Sequence, residues 1–168
     1  MGFGKNEFEI LVENDIDLKN VVDHLKSNFE VGAEIPGERR LVDKIGYSLP
    51  KTRELLIVLD CYGFVDIQHG KGTVLRQNIA NISSNELDAR FIEKLKADPD
   101  LNEFISTLSK SIGIGDKLPG ERKLKKVFRT SRGKVRELLI RLECCGFLQK
   151  SSHGKNRMLI KLLPSNSL

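Results

Sequence analysis

The sequence has few cysteines and no long apolar run, and both shortages exclude whole classes of protein. Its three cysteines, Cys61, Cys144 and Cys145, are odd in number and show no Cys-x-x-Cys spacing. Neither a disulfide framework nor a zinc site is therefore expected. The longest apolar runs, such as Leu55 to Leu59, are far too short to span a bilayer, and the N-terminal residues lack the apolar segment of a secretory signal. We expect a cytoplasmic protein that makes no contact with a membrane.

The sequence also shows no recognisable arrangement of catalytic residues. The sequence shows no nucleophile with a base and an orienting partner, no phosphate-binding Walker loop and no metal-ligand cluster. We therefore expect that the protein is not an enzyme and that it uses no metal or other cofactor.

Charge of the two signs is distributed unevenly along the chain. Residues 1–84 hold 10 Lys and Arg against 13 Asp and Glu, a net charge of −3, whereas residues 85–168 hold 18 against 10, a net charge of +8. So basic a half is typical of a phosphate-binding module, although a solvated basic face would give the same count.

Apolar periodicity predicts three helices and a hairpin in the first half. The first helix begins near Asp17, the second follows a Pro-Gly-Glu-Arg turn, and the third is capped by Ser48 and ends at Gly63. Residues 64–67 and 73–75 are predicted to be two strands joined by a glycine turn.

The second half repeats the first. A shift of 83 residues aligns the two without a gap, and 20 of the 51 positions in residues 17–67 are identical to their counterparts. Alternating charged and apolar positions in residues 7–13 favour a short strand or an ordered arm. The predicted organisation is an arm at 1–16, a first domain at 17–77, a helical connector at 78–99, a second domain at 100–163 and a tail at 164–168.

The connector contains one amphipathic helix. A capping box from Ser83 to Glu86 starts it, and Leu87, Phe91 and Leu95 lie on one face. It is either a spacer packed on a neighbouring domain or a dimerisation helix, so the protein could be a homodimer.

Motifs shared by both copies carry a resemblance to a known family. Pro-Gly-Glu-Arg begins at Pro36 and Pro119, and Arg-Glu-Leu-Leu-Ile begins at Arg53 and Arg136. With the Gly-Phe and His-Gly-Lys that follow, they resemble the DNA-binding domain of the GntR family of bacterial transcription regulators. The resemblance covers about residues 17–76 and 100–162.

The resemblance implies a mainly α fold with small β wings (α+β), built as two tandem winged helix-turn-helix domains joined by the helical connector. In this motif the second helix of the pair lies in the major groove, and a wing is a β-hairpin that contacts DNA. The implied protein is a nucleoid-associated regulator whose partner is double-stranded DNA. The predicted DNA-binding residues are Arg39, Ser48, Lys51, Arg53, His69, Gly70 and Lys71 in the first copy, and Arg122, Ser131, Arg132, Lys134, Arg136, His153, Gly154, Lys155 and Arg157 in the second.

The two copies depart differently from the family pattern. Family members usually carry an arginine directly after the capping residue; the second copy has Arg132 there, whereas the first has Leu49. A bidentate contact to guanine contributes about 1 to 3 kcal/mol of base discrimination. We therefore expect the second copy to supply most of the affinity. The alternative role of Arg53 and Arg136 is a surface ion pair within their own helix.

We expect no ligand-sensing domain of the family here, because a second predicted winged helix takes its place, and no small-molecule effector is evident. Two other functions remain open at this point. One is a replication initiator or partition protein of a plasmid or phage. The other is a protein-interaction module whose first domain no longer binds DNA.

Overall fold

Helices dominate the fold. The structure is a computed structural model that describes residues 7–68, 70–76, 84–151, 156–161 and 163, apart from the side chains of Glu7 and residues 84–87. These residues form eight helices and five short strands, and the strands lie in small antiparallel sheets, so the predicted α+β class is confirmed. None of the described helices combines the length and the hydrophobicity needed to cross a membrane. The chain divides into two compact units, Met1–Leu87 and Asp88–Leu168.

The first unit combines four helices with a three-stranded sheet. Strand β3 is central and pairs antiparallel with β1 and β2. A further helix, α5 (Ser84–Ala97), follows and contains the boundary between the units. The elements of the first unit are α1 (Glu7–Asn14), α2 (Ile16–Asn28), β1 (Glu34–Ile35), α3 (Glu38–Ile45), α4 (Leu49–Cys61), β2 (Val65–Gln68) and β3 (Gly72–Leu75).

Local capping explains where these helices begin. The carboxylate of Asp15 accepts hydrogen bonds from the backbone N–H groups of Asp17 and Leu18 at 3.0 and 3.1 Å, and so caps α2. The hydroxyl of Ser48 accepts one from the N–H of Lys51 at 3.3 Å and caps α4, as predicted. Pro50 lies in the first turn of α4, where a missing N–H is tolerated.

Residues 7–14 form helix α1, so the strand considered for this stretch is wrong. Phe8 is buried, and its ring centroid lies 5.3 Å from that of Tyr62 and 6.1 Å from that of Phe64. Leu11 and Val12, three and four residues later, are half-buried. Because residues at this spacing share one helical face, a helix packs all three against the unit. A strand would place Leu11 on the face opposite Phe8 and Val12.

The second unit repeats this element order. Strands β4 and β5 pair antiparallel, and Lys117 forms a single bridge to Met158 where the first unit pairs Glu34 with Val74. A second antiparallel pairing on β5 is therefore retained, although reduced to one bridge. The remaining elements are α6 (Pro99–Ser111), α7 (Glu121–Phe128), α8 (Arg132–Cys144), β4 (Leu148–Lys150) and β5 (Arg157–Leu159).

Two apolar residues of α5 pack into the core of the second unit. Phe91 and Leu95 are buried in the hydrophobic core of that unit, and the rings of Phe91 and Phe147 are 5.0 Å apart. Phe91 lies 83 residues after Phe8, and Phe147 lies 83 residues after Phe64. The duplication thus includes α1 and the last part of α5. Of the predicted capping box, Ser83 lies outside the described residues.

Thr52 is the one residue of α4 whose chemistry conflicts with its place in the core. It is 0% exposed, and its hydroxyl has no hydrogen-bond partner among the described residues. The equivalent residue of α8 is Val135, which is also buried. Although Thr52 lies near the exposed start of α4, it is therefore part of the core.

Thr52→Val should raise the free energy of unfolding of the first unit by about 1 kcal/mol, because it removes an unsatisfied buried hydroxyl. The reverse change, Val135→Thr, should lower that of the second unit by a similar amount. Both tyrosines, Tyr47 and Tyr62, lie in the first unit. Urea unfolding followed by tyrosine fluorescence therefore measures the first variant, and circular dichroism measures the second. A less stable Thr52→Val protein would contradict this account.

Candidate nucleic-acid interface

Each unit contains two helices joined by a three-residue turn. The turn between α3 and α4 begins with Gly46, and the turn between α7 and α8 begins with Arg129; both have left-handed backbones, with φ of 78° and 49°. Both turns end in an exposed serine that caps the next helix, Ser48 or Ser131. The first turns of α4 and α8, where base-contacting residues are predicted, thus begin at the surface.

Arg53 pairs with the first residue of the preceding helix. Its Nε and Nη2 atoms donate to the Glu38 carboxylate at 3.0 and 2.8 Å, a bidentate contact across the turn. Glu38 is the first residue of α3, and this pair fixes Arg53 against the start of that helix. The equivalent pair in the second unit joins Arg136 to Glu121 at 3.2 Å. An ion pair 15 residues apart in sequence is therefore common to both copies.

Glu121 gathers a larger group of cations, which we name the Glu121 cluster: Glu121, Arg132, Arg136 and Arg157. One carboxylate oxygen of Glu121 accepts hydrogen bonds from Arg132 Nε and Arg136 Nη2, both at 3.2 Å. The other oxygen lies 3.9 Å from Arg157 Nη1. Arg157 also donates to Glu143 at the end of α8. The cluster links the starts of α7 and α8 to strand β5.

The protonation of Glu121 reflects these neighbours. Partial burial tends to raise the pKa of its carboxyl group, but hydrogen bonds from Arg136 and Arg132 and the charge of Arg157 outweigh burial and hold the pKa below the ordinary value. Glu121 is therefore ionised at neutral pH and offsets part of the arginine charge at this surface.

Lys134 and Lys51 each pair with an aspartate at the start of another helix, α6 or α2. The Lys134 ammonium group donates to the Asp98 carboxylate at 2.8 Å and lies 3.7 Å from Glu137, and its side chain is only 16% exposed. Lys51 is 3.7 Å from Asp17. Partial burial tends to lower the pKa of Lys134, but the hydrogen bond to Asp98 and the charge of Glu137 raise it above the ordinary value.

The Asp98–Lys134 pair should give the second unit an acid-sensitive contribution to stability. Burial tends to raise the pKa of Asp98, but the hydrogen bonds from Lys134 and from the N–H of Leu101 hold the pKa below the ordinary value of an aspartate. A carboxyl group with a lowered pKa contributes stability that is complete above its unfolded-state pKa and is lost as the pH falls through the folded-state value. The contribution is therefore present at neutral pH and declines below about pH 4.

Asp98→Asn should lower the unfolding free energy of the second unit by about 1 kcal/mol at pH 7, because asparagine keeps the helix cap but loses the ion pair. The difference from wild type should shrink as the pH falls below 4. The matched control is Asp15→Asn, which changes a cap that has no such lysine partner among the described residues. Urea unfolding at several pH values measures both, and a difference that persists at low pH would count against the pair.

The hairpins present their predicted residues unequally. Gly70 and Lys71 are exposed at the β2–β3 turn. Gly72 has a φ of 100°, a backbone conformation that residues with a side chain rarely adopt, so this position favours glycine. In the second hairpin Arg157 is only 16% exposed and engages glutamates. The predicted residues His69, His153, Gly154 and Lys155 lie outside the described residues.

Arg39 on α3 and Arg122 on α7 are the predicted DNA-binding residues of the helices that precede α4 and α8. Both are exposed and make no ion pair with any residue that the structure describes. Helix α3 adds exposed Arg40 and Lys44 but also exposed Asp43, whereas the exposed charged residues of α7 are all cations. The exposed cations of α7 are Arg122, Lys123, Lys125 and Lys126.

Sequence reasoning missed the carboxylates that organise this surface, Glu38, Glu121 and Glu143. A signal was present, because the glutamate of Pro-Gly-Glu-Arg recurs in both copies together with the arginine of Arg-Glu-Leu-Leu-Ile. No protein-family model, curated protein or solved structure matches the chain.

Proposed function

We propose that the protein is a sequence-specific, double-stranded DNA-binding transcription regulator made of two winged helix-turn-helix domains of the GntR type. The observation that carries the proposal is the repeated arrangement of a helix pair, an exposed capping serine and an arginine near the start of the second helix. Folded twice from sequences that are 20 of 51 identical, this arrangement includes the same interhelical ion pair each time.

In the proposed complex, α8 enters the major groove and α7 lies against the backbone. Arg132, 62% exposed at the first position of α8, contacts a base edge. Arg122, with Ser131 at the cap, contacts phosphate, and so do the lysines of α7. Binding therefore weakens steeply with salt, because each neutralised phosphate releases counterions.

The second unit dominates this complex on grounds of charge and of available donors. The first unit, Met1–Leu87, has 10 Lys and Arg against 14 Asp and Glu, and the second has 18 against 9. Leu49 stands where the second unit has Arg132. These observations favour a second candidate role for the first unit, contact with another protein in place of DNA.

Selection of bound duplexes from a random DNA pool, followed by footprinting, tests the proposal. Enrichment of one sequence with a footprint upstream of promoters would support regulation, and two half-sites occupied by a single chain would show that both units bind. Direct repeats at a replication origin would favour an initiator instead. A protein that enriches no sequence at low salt is not a sequence-specific DNA-binding protein.

A further inference from the structure

The bonding of Arg132 leaves part of its guanidinium group available. Glu121 accepts from the Nε atom, at 3.2 Å. The two terminal nitrogens, Nη1 and Nη2, make no hydrogen bond to any residue in the described part of the chain. A guanidinium fork can donate through these two atoms to two acceptors at once.

We infer that Glu121 is a specificity-determining positioning residue, which holds Arg132 so that its two terminal nitrogens donate together to O6 and N7 of one guanine. The inference rests on the proposed function and names the base that the second unit recognises. Guanine presents these two acceptors side by side in the major groove, and an arginine fork matches them. Because the carboxylate already restrains the side chain, less rotamer freedom is lost on binding.

The charge of Glu121 acts in the same direction. It offsets part of the positive charge of three arginines, and so weakens attraction to phosphates of any sequence. Its removal should therefore change two affinities in opposite directions, raising binding to arbitrary duplexes and lowering binding to the preferred one. A merely structural residue would not produce such a split.

The first unit supplies a matched control. Glu38 occupies the equivalent position, but both its oxygens bind Arg53, and Leu49 stands in place of Arg132. Glu38→Gln therefore makes the same chemical change beside Arg53, in a unit where no arginine occupies the first position of the second helix.

The first experiment uses the full chain and the duplex that wild type enriches from a random pool. Each guanine is replaced in turn by 7-deazaguanine, which lacks the N7 acceptor. At one guanine, wild type and Glu38→Gln should lose about tenfold in affinity. Glu121→Gln should lose less than about twofold there. An equal loss in wild type and Glu121→Gln would overturn the inference.

The second experiment uses a scrambled duplex of the same composition. Glu121→Gln should bind it more tightly than wild type does, with a salt slope steeper by about one. Equal loss of affinity for both duplexes, with a native circular dichroism spectrum, would also overturn the inference. If Glu121→Gln does not fold, Glu121→Asp keeps the charge and shortens the reach, and should lose the guanine preference alone. A wild type that enriches no duplex refutes the proposed function itself, a distinguishable result.

Discussion

Replacing Arg132 and Arg136 together with alanine is expected to reduce affinity for the selected duplex by about 100-fold or more, to the level of non-specific binding. The change removes the exposed residue at the start of α8 and its neighbour in the Glu121 cluster. The matched double variant in the first unit, Arg39→Ala with Arg53→Ala, should cost about tenfold or less, as expected for phosphate contacts alone. Fluorescence anisotropy titrations at fixed salt measure both losses.

Arg132→Lys with Arg136→Lys separates charge from geometry. Lysine keeps the positive charge but cannot form the planar fork, so this variant should retain non-specific binding and lose selectivity. Equal losses in the two alanine variants would contradict the unequal roles of the two units.

Phe91→Ala is expected to destabilise the second unit by about 3 to 5 kcal/mol, because it removes a buried ring in contact with Phe147. Phe8→Ala should destabilise the first unit to a similar degree, since Phe8 packs on Tyr62 and Phe64. Tyrosine fluorescence follows unfolding of the first unit, and helix circular dichroism follows both. The fluorescence transition of Phe91→Ala should therefore match that of wild type.

A loss of less than about 1 kcal/mol in Phe91→Ala would show that the Phe91 ring contributes little to the core of the second unit, since surface changes lie within about 0.5 kcal/mol. The expected loss instead makes α1 and the end of α5 integral to their units. Each repeat then begins with the helix that carries Phe8 or Phe91. The sequence match becomes evident only later, at Asp17 and Asp100.

Features set by neighbours in sequence were predictable, and features set by distant ones were not. Ser48 and Ser131 cap their helices through contacts three residues away, so sequence sufficed to place both helix starts. Helix α1 was mistaken for a possible strand because its partners, Tyr62 and Phe64, lie more than 50 residues further along. A pattern read over seven residues cannot indicate packing against residues so distant in sequence.

The candidate site shows the same division. The arginines were identifiable from their motifs, but their carboxylate partners depend on how one helix follows another across a turn. Arg157 was expected at an exposed hairpin, yet it lies against α7 and α8 because Glu121 and Glu143 come together there. Lys134 likewise has its charge committed to Asp98.

One basic residue of the second unit, Arg129, occupies a left-handed backbone conformation in the turn before α8. A side chain in this backbone conformation costs about 1 kcal/mol or more relative to glycine, which the first unit has at Gly46. The second unit thus carries a cation at a position whose geometry favours glycine, a local frustration between sequence and backbone. Such conflicts commonly persist at functional surfaces. The turn into α8 is therefore strained at Arg129, whereas Gly46 adopts a left-handed conformation in the turn into α4 without that cost.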